Sequence, residues 1–242
     1  MSGSVSVFPI LLDGSLDEAS DFHQHSGSSI NTTRQSGPHA HSTVFDPLGR
    51  YVFVSDLGAD KLVVYDWDGI RGKLQLRENS CYKARAGSGP RHITHHPKKP
   101  FAYIVNELDS TISVLAYDPS SVTFREIQVL SSLPDGFTGS NSCADIHLSP
   151  SGIFLYVSNR GHDSIAVFRI GSKQGLLEPV GHFLSGGGIP RSFAIDPLGN
   201  FLLVANQNGD NIVAFRINRQ TGALDATGLE IRVSTPVCIR VY

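Results

Sequence analysis

The sequence predicts an all-β protein, a β-propeller of four-stranded antiparallel blades, and three observations carry that prediction. A proline-centred tripeptide returns four times, an apolar strand follows each copy, and an Asn or Asp stands at a fixed distance beyond each proline. The copies are Phe45-Asp46-Pro47, His95-His96-Pro97, Leu148-Ser149-Pro150 and Ile195-Asp196-Pro197, with proline-to-proline spacings of 50, 53 and 47 residues. Self-similarity at this period, with strands separated by turn signals, is the mark of propeller blades. A β-sandwich would not require the same positions to return in every unit.

Each element follows in order. Strand one leads into the proline. Strand two comes after it, as Tyr51-Val52-Phe53-Val54, Phe101-Ala102-Tyr103-Ile104-Val105, Phe154-Leu155-Tyr156-Val157 and Phe201-Leu202-Leu203-Val204. Nine residues beyond each proline stand Asp56, Asn106, Asn159 and Asn206, read as turn-formers that bond local backbone and tolerate left-handed geometry. Strand three is Leu62-Val63-Val64-Tyr65, Ile112-Ser113-Val114-Leu115, Ile165-Ala166-Val167-Phe168 and Ile212-Val213-Ala214-Phe215. Leu74-Gln75-Leu76-Arg77 and Val180-Gly181-His182-Phe183 read as a more polar fourth strand at the outer edge.

The ends depart from the repeat. Val5-Ser6-Val7-Phe8 fits the strand-three template, and Pro236-Val237-Cys238-Ile239-Arg240-Val241 reads as a first strand. A ring closed by mixing the termini would bring these together, still without a second strand in that blade. The expectation is therefore a single propeller domain over 1–242, amino-terminally incomplete, with four complete blades and partial ones at its ends. Unpaired edges of this kind favour association, here a homo-oligomer. Residues 26–36 and 134–142 are polar connections outside the repeat, and solvated linkers are the commoner case for such segments.

Composition sets the class. The 242 residues are 40% hydrophobic and 17% charged with a net charge of −2, a balance that suits a globular domain and argues against nucleic-acid or membrane partners. Twenty-four Gly and 13 Pro fit many tight turns. The three cysteines, Cys81, Cys143 and Cys238, are odd in number and far apart, so they read as buried thiols rather than a disulfide framework or zinc motif. The opening residues, from Met1 to Phe8, lack a basic region and an apolar run of signal-peptide length. No stretch reaches the ~20 apolar residues of a membrane span, so a cytoplasmic protein is expected.

Candidate functional residues emerge where the copies disagree. In a blade, the start of strand one and the end of strand two lie at one rim. Six residues before each proline stand His41, Arg91, Ala144 and Arg191, and ten after stand Leu57, Glu107, Arg160 and Gln207. A purely structural position would keep one residue type, whereas these collect three arginines, a glutamate and a histidine. Like charges brought to one mouth suit an anionic ligand. One such arginine alone would be an ordinary rim residue; five converging groups point to a site. Glu107 among arginines is expected to stay ionised, and His41 to be able to exchange a proton near neutrality. Asp145 and His147, two apart on a strand one, are either a channel-lining pair or a buried structural pair. His39 with His41 could chelate a metal, but adjacent His95 and His96 point oppositely and no carboxylate motif accompanies them. No metal or cofactor is expected.

These residues resemble the lactonase family of β-propellers, whose members include the propeller-type 6-phosphogluconolactonase and the fungal carboxy-muconate cyclising enzyme. The resemblance rests on Pro38-His39-Ala40-His41-Ser42, Gly89-Pro90-Arg91-His92, Val105-Asn106-Glu107-Leu108-Asp109-Ser110, Ala144-Asp145-Ile146-His147, Tyr156-Val157-Ser158-Asn159-Arg160-Gly161, Pro190-Arg191-Ser192-Phe193 and Pro236-Val237-Cys238. It implies a seven-bladed ring whose site is built from a histidine, two arginines and a glutamate, which match His41, Arg91, Arg160 and Glu107. Family members carry roughly two further blades before the point where this sequence begins, as if the chain started midway through a blade.

The resemblance and the charged rim lead to hydrolysis of a sugar lactone, with 6-phosphogluconolactone favoured and 6-phosphogluconate, a pentose phosphate intermediate, as product. Glu107 or His41 would activate water, and Arg91 and Arg160 would hold the phosphate or the oxyanion. Arg191, Gln207, Asp145 and His147 are the remaining substrate-binding candidates. The absence of a Gly-x-Ser-x-Gly nucleophile motif favours direct attack by water. Two other classes remain open: a cycloisomerase acting on a dicarboxylate at the same site, and a non-catalytic interaction module.

Overall fold

The structure, a computed structural model, describes residues 3–78 and 81–241; Met1 and Ser2 of the opening stretch lie outside it. All regular elements among the described residues are strands. A two-stranded unit, β1 (Ser4–Val7) and β2 (Asp21–Gln24), comes first. The first full blade holds β3 (Ala40–Phe45), β4 (Tyr51–Asp56), β5 (Lys61–Asp68) and an outer strand in two pieces, β6 (Lys73–Leu76) and β7 (Tyr82–Lys83). Both pieces pair with β5. The second blade is β8 (Pro90–His95), β9 (Phe101–Asn106), β10 (Thr111–Asp118) and β11 (Thr123–Ser131). The third is β12 (Ser142–Leu148), β13 (Phe154–Arg160), β14 (Ser164–Ile170) and β15 (Leu177–Leu184), and the fourth β16 (Pro190–Ile195), β17 (Phe201–Asn206), β18 (Asn211–Ile217) and β19 (Leu224–Arg232). Pairing within each blade runs antiparallel in chain order, as the repeat requires.

Strand two is apolar throughout because a blade is buried on both faces. Side chains alternate across a strand, so Tyr103 and Val105 enter a core shared with Leu155 and Val157 of the next blade. Ala102 and Ile104 turn the other way, to Phe53 and Leu62 of the preceding one. The next joint repeats the rule, with Phe154 and Tyr156 packed against Phe193, Leu202 and Val204. The residue before each proline closes the turn: Asp46 Oδ1 accepts from Tyr51 N at 2.9 Å and Ser149 Oγ from Phe154 N at 3.1 Å. Glycine is required where one blade's outer turn meets its neighbour. Gly222, at φ +82°, would drive a Cβ to within 2.4 Å of the Phe154 ring, and its carbonyl accepts the Tyr156 hydroxyl at 3.1 Å.

Three expectations need correction. The Asn/Asp repeat is a latch between blades as well as a local turn: Asn159 Nδ2 donates to Ser132 O at 2.8 Å and Asn206 Nδ2 to Ser185 O at 3.0 Å, each carbonyl lying just past the outer strand of the preceding blade. The left-handed residue stands four places on, at Asp60, Ser110, Asp163 and Asp210, with φ of 49°, 56°, 51° and 49°. Second, residues 236–241 form no strand. A first strand pairs with a second, and the amino-terminal unit holds only β1 and β2, in the third and fourth places, paired with each other. Third, only Cys143 is buried; Cys81 and Cys238 are exposed.

Candidate functional site

Every strand one carries a break in register beside its candidate residue. The ladder between β3 and β4 shifts between Ala40 and Ser42, that between β8 and β9 between Pro90 and His92, and that between β16 and β17 between Pro190 and Ser192. His41, Arg91 and Arg191 are thus the unpaired residues of β-bulges, which re-aim a side chain that regular pairing would fix. In β12 the shift spans Cys143 to Ile146, leaving Ala144 and Asp145 unpaired. Glu107, Arg160 and Gln207 sit opposite, at the ends of their strands two.

The two sets meet as the register requires. Glu107 is 3% exposed and Arg91 likewise 3%. Glu107 Oε2 accepts from Arg91 Nε at 2.8 Å and pairs with Arg160 Nη2 at 3.0 Å, while Oε1 pairs with Arg34 Nη1 at 2.7 Å. Arg91 also donates to the Ala144 carbonyl, and Arg160 to the Cys143 carbonyl at 2.8 Å. Arg191 stands at the same mouth, where Nη1 reaches Gln207 Oε1 at 3.4 Å.

Electrostatics follow from this packing. Burial alone would raise the Glu107 carboxyl, but Arg160, Arg91 and Arg34 outweigh it and bring it down to about 2. Burial and then Arg160 lower Arg91 to about 10, leaving it charged at neutrality. Burial, reinforced by Arg91, lowers His41 to about 3, so the ring is neutral near pH 7. Its buried Nδ1 has no hydrogen-bond partner. Three guanidinium groups on one carboxylate leave an excess of positive charge at the mouth. A protein interior tolerates that arrangement poorly unless an anion completes it.

Arg34 is the residue that sequence reasoning missed. It lies in the connection 26–36, which is no solvated linker: Gln35 is fully buried and donates through Nε2 to Leu57 O at 2.8 Å. Asn31 Oδ1 caps the turn by accepting from Arg34 N at 3.0 Å. The available signal was a lone arginine in a polar insertion just before the strand that carries His41.

Below the mouth, the inner strands β3, β8 and β12 enclose a channel cavity of about 460 Å³ lined by His41, His92, Asp145 and His147 among others. Arg240 reaches the same cavity from the carboxyl-terminal segment. Asp145 is 4% exposed, and His147 Nε2 lies 3.3 Å from its Oδ2. Both residues therefore line the channel, with His147 beside the buried Asp145 carboxylate. His39 and His41 lie 5.6 Å apart between ring centroids, and His95 packs against Phe53 and Tyr117. Among the described residues no group of three or more His, Cys, Asp or Glu side chains is placed to hold a metal.

A family model described as lactonase, seven-bladed β-propeller, matches residues 1–241. The chain belongs to this lactonase family. It is 42% identical over 196 residues to a 6-phosphogluconolactonase of Bacillus subtilis, covering 81% of this chain and 54% of that protein. The chain thus spans about half the length of the curated relatives it matches. Among solved structures it is similar to a protein from Lactobacillus plantarum (TM-score 0.92, 35% identity) over 98% of this chain and 67% of that one. It also resembles the periplasmic gluconolactonase of Pseudomonas aeruginosa (TM-score 0.91, 36% identity), over 98% and 66% respectively. Among the described residues, no helix is long and apolar enough to cross a membrane.

Proposed function

We propose that this chain carries the site of a lactone hydrolase acting on an anionic sugar lactone, with 6-phosphogluconolactone the favoured substrate and 6-phosphogluconate the product. The observation that carries the reading is the buried Glu107 carboxylate shared by Arg34, Arg91 and Arg160 beside a neutral His41. The named relatives, a 6-phosphogluconolactonase and a gluconolactonase, support the substrate class.

Of the two candidate bases, His41 is favoured over Glu107. Both Glu107 oxygens are engaged by guanidinium groups, so its role is to hold the arginines in register. His41 is unprotonated at neutral pH, and its buried Nδ1 is not committed to any protein hydrogen bond. It takes a proton from water as the oxygen attacks the lactone carbonyl, and the imidazolium so formed is offset by the substrate's anionic group. Arg91 and Arg160 stabilise the oxyanion or the phosphate, with Arg191 and Gln207 completing the mouth. The same proton then passes to the ring oxygen as the carbon–oxygen bond breaks.

The test is turnover of freshly prepared 6-phosphogluconolactone by the purified chain, with product analysis. The proposal expects 6-phosphogluconate, and a loss of at least about a hundredfold in kcat for His41→Ala. Full turnover by both His41→Ala and Arg91→Ala would overturn it.

A further inference from the structure

The channel wall behind Arg91 holds a chain of hydrogen bonds whose proton positions follow from geometry. Arg91 Nη1 lies 3.1 Å from His92 Nε2, and His92 Nδ1 lies 2.8 Å from Asp145 Oδ1. A guanidinium has donors only, so Nε2 must accept. The ring proton then sits on Nδ1 and is donated to Asp145. Asp145 is held in turn by its own bulge and by the next blade: Oδ1 accepts from Ile146 N at 3.1 Å, and Oδ2 from Ser192 Oγ at 3.2 Å and Phe193 N at 3.3 Å.

We propose that His92 and Asp145 are positioning residues for the proposed anion site: together they fix the Arg91 guanidinium, and Asp145 takes no substrate contact of its own. The chain links β8, which carries Arg91 and His92, through Asp145 on β12 to Ser192 and Phe193 on β16. Three blades thereby set one guanidinium. Arg91 otherwise has Glu107 and the Ala144 carbonyl as partners, which hold Nε and one face of Nη1; the His92 acceptor supplies the remaining direction. A ring protonated on both nitrogens would aim a donor at Arg91, and burial favours the neutral ring, against the opposing pull of Asp145. His41 faces His92 from β3, with ring centroids 5.4 Å apart, and His147 approaches Asp145 from within β12. The pair rests on the anion-site reading only for its purpose; the proton positions stand on the hydrogen bonds alone.

The experiment combines imidazole nitrogen NMR with titration of inorganic sulfate, whose charge is constant over the working range. In the unmodified chain His92 is expected as the Nδ1–H tautomer. Asp145→Asn should lose that single tautomer and weaken sulfate binding by roughly tenfold, the scale of one charge-assisted hydrogen bond. His92→Gln can still present an acceptor to Arg91 and should retain most of the affinity, whereas His92→Leu should lose it; circular dichroism checks that each variant is folded. An Nε2–H tautomer in the unmodified chain, or folded Asp145→Asn and His92→Leu variants that bind sulfate as the parent does, would overturn the proposal. Absence of sulfate and 6-phosphogluconate binding in the parent would sink the anion-site reading, while the tautomer still decides the proton positions.

Discussion

His25 and Asp56 meet at 2.6 Å in the joint between the amino-terminal strand pair and the first full blade, and His92 and Asp145 meet at 2.8 Å in the channel. Both pairs use Nδ1, both carboxylates are buried, and both set Nε2 against a third group. At His25 that group is the Tyr65 hydroxyl at 2.9 Å, a neutral phenol whose pKa burial and then Asp56 raise to about 12. At His92 it is a guanidinium. The first chain ends inside the protein and only holds a joint, taking the place that Ser132 and Ser185 take in later latches. The second also ends on a buried group, but that group is a charge, the Arg91 guanidinium of the candidate site. The same dyad therefore serves as a latch or as a positioning device according to its terminal partner, and experiments that move stability and anion binding separately will test that division.

The largest effect is expected where the charges converge. Glu107→Ala leaves three guanidinium groups without their carboxylate and should lower the unfolding free energy by about 3–5 kcal/mol, read by urea denaturation. Millimolar sulfate should restore more stability to this variant than to the parent, because an anion can take the vacated place. Next comes the latch. His25→Ala strands the Tyr65 hydroxyl and one Asp56 oxygen and should cost about 1–3 kcal/mol, with sulfate affinity unchanged. A shift in affinity there would erase the distinction between the two dyads.

Acidification separates the site's own groups. His41 is depressed from 6.5 to about 3, so the unfolded chain binds its proton first and stability falls as pH drops from 6.5 toward 3. Glu107 is depressed from 4.5 to about 2, so its contribution is complete above 4.5 and is lost as pH falls toward 2. His41→Asn should flatten the upper window and leave the lower one, as followed by thermal unfolding across pH. The smallest effect belongs to Arg34, whose side chain is 37% exposed. Arg34→Ala should cost no more than about 1 kcal/mol in stability and weaken sulfate binding by roughly threefold, a change of under about 1 kcal/mol, measured by calorimetry.

The proline register made the blades legible, because each tripeptide marks the turn between strands one and two and so fixes where both strands end. It also placed Arg91, Glu107 and Arg160 at one mouth. The bulges were not legible: His41, Arg91 and Arg191 are displaced by pairing between strands, which a linear pattern does not contain. Arg34 escaped because it sits in an insertion with no repeat partner to compare it with. The left-handed positions at Asp60, Ser110, Asp163 and Asp210 stand four residues beyond the Asn/Asp repeat, which carries the same turn chemistry and took the reading that belonged to them. Residues 236–241 have strand-like composition, yet a strand also needs a partner edge in the right place.

The bulge has a consequence for how such a ring can change over time. A residue that stands outside the cross-strand ladder can be exchanged without removing a pairing bond, so His41, Arg91, Ala144 and Arg191 can differ while the strands around them keep their register. Each blade then offers one slot at the mouth whose residue type the strand ladder does not fix. New ligand chemistry can be tried by altering one slot at a time, with neighbouring blades left to hold the shape.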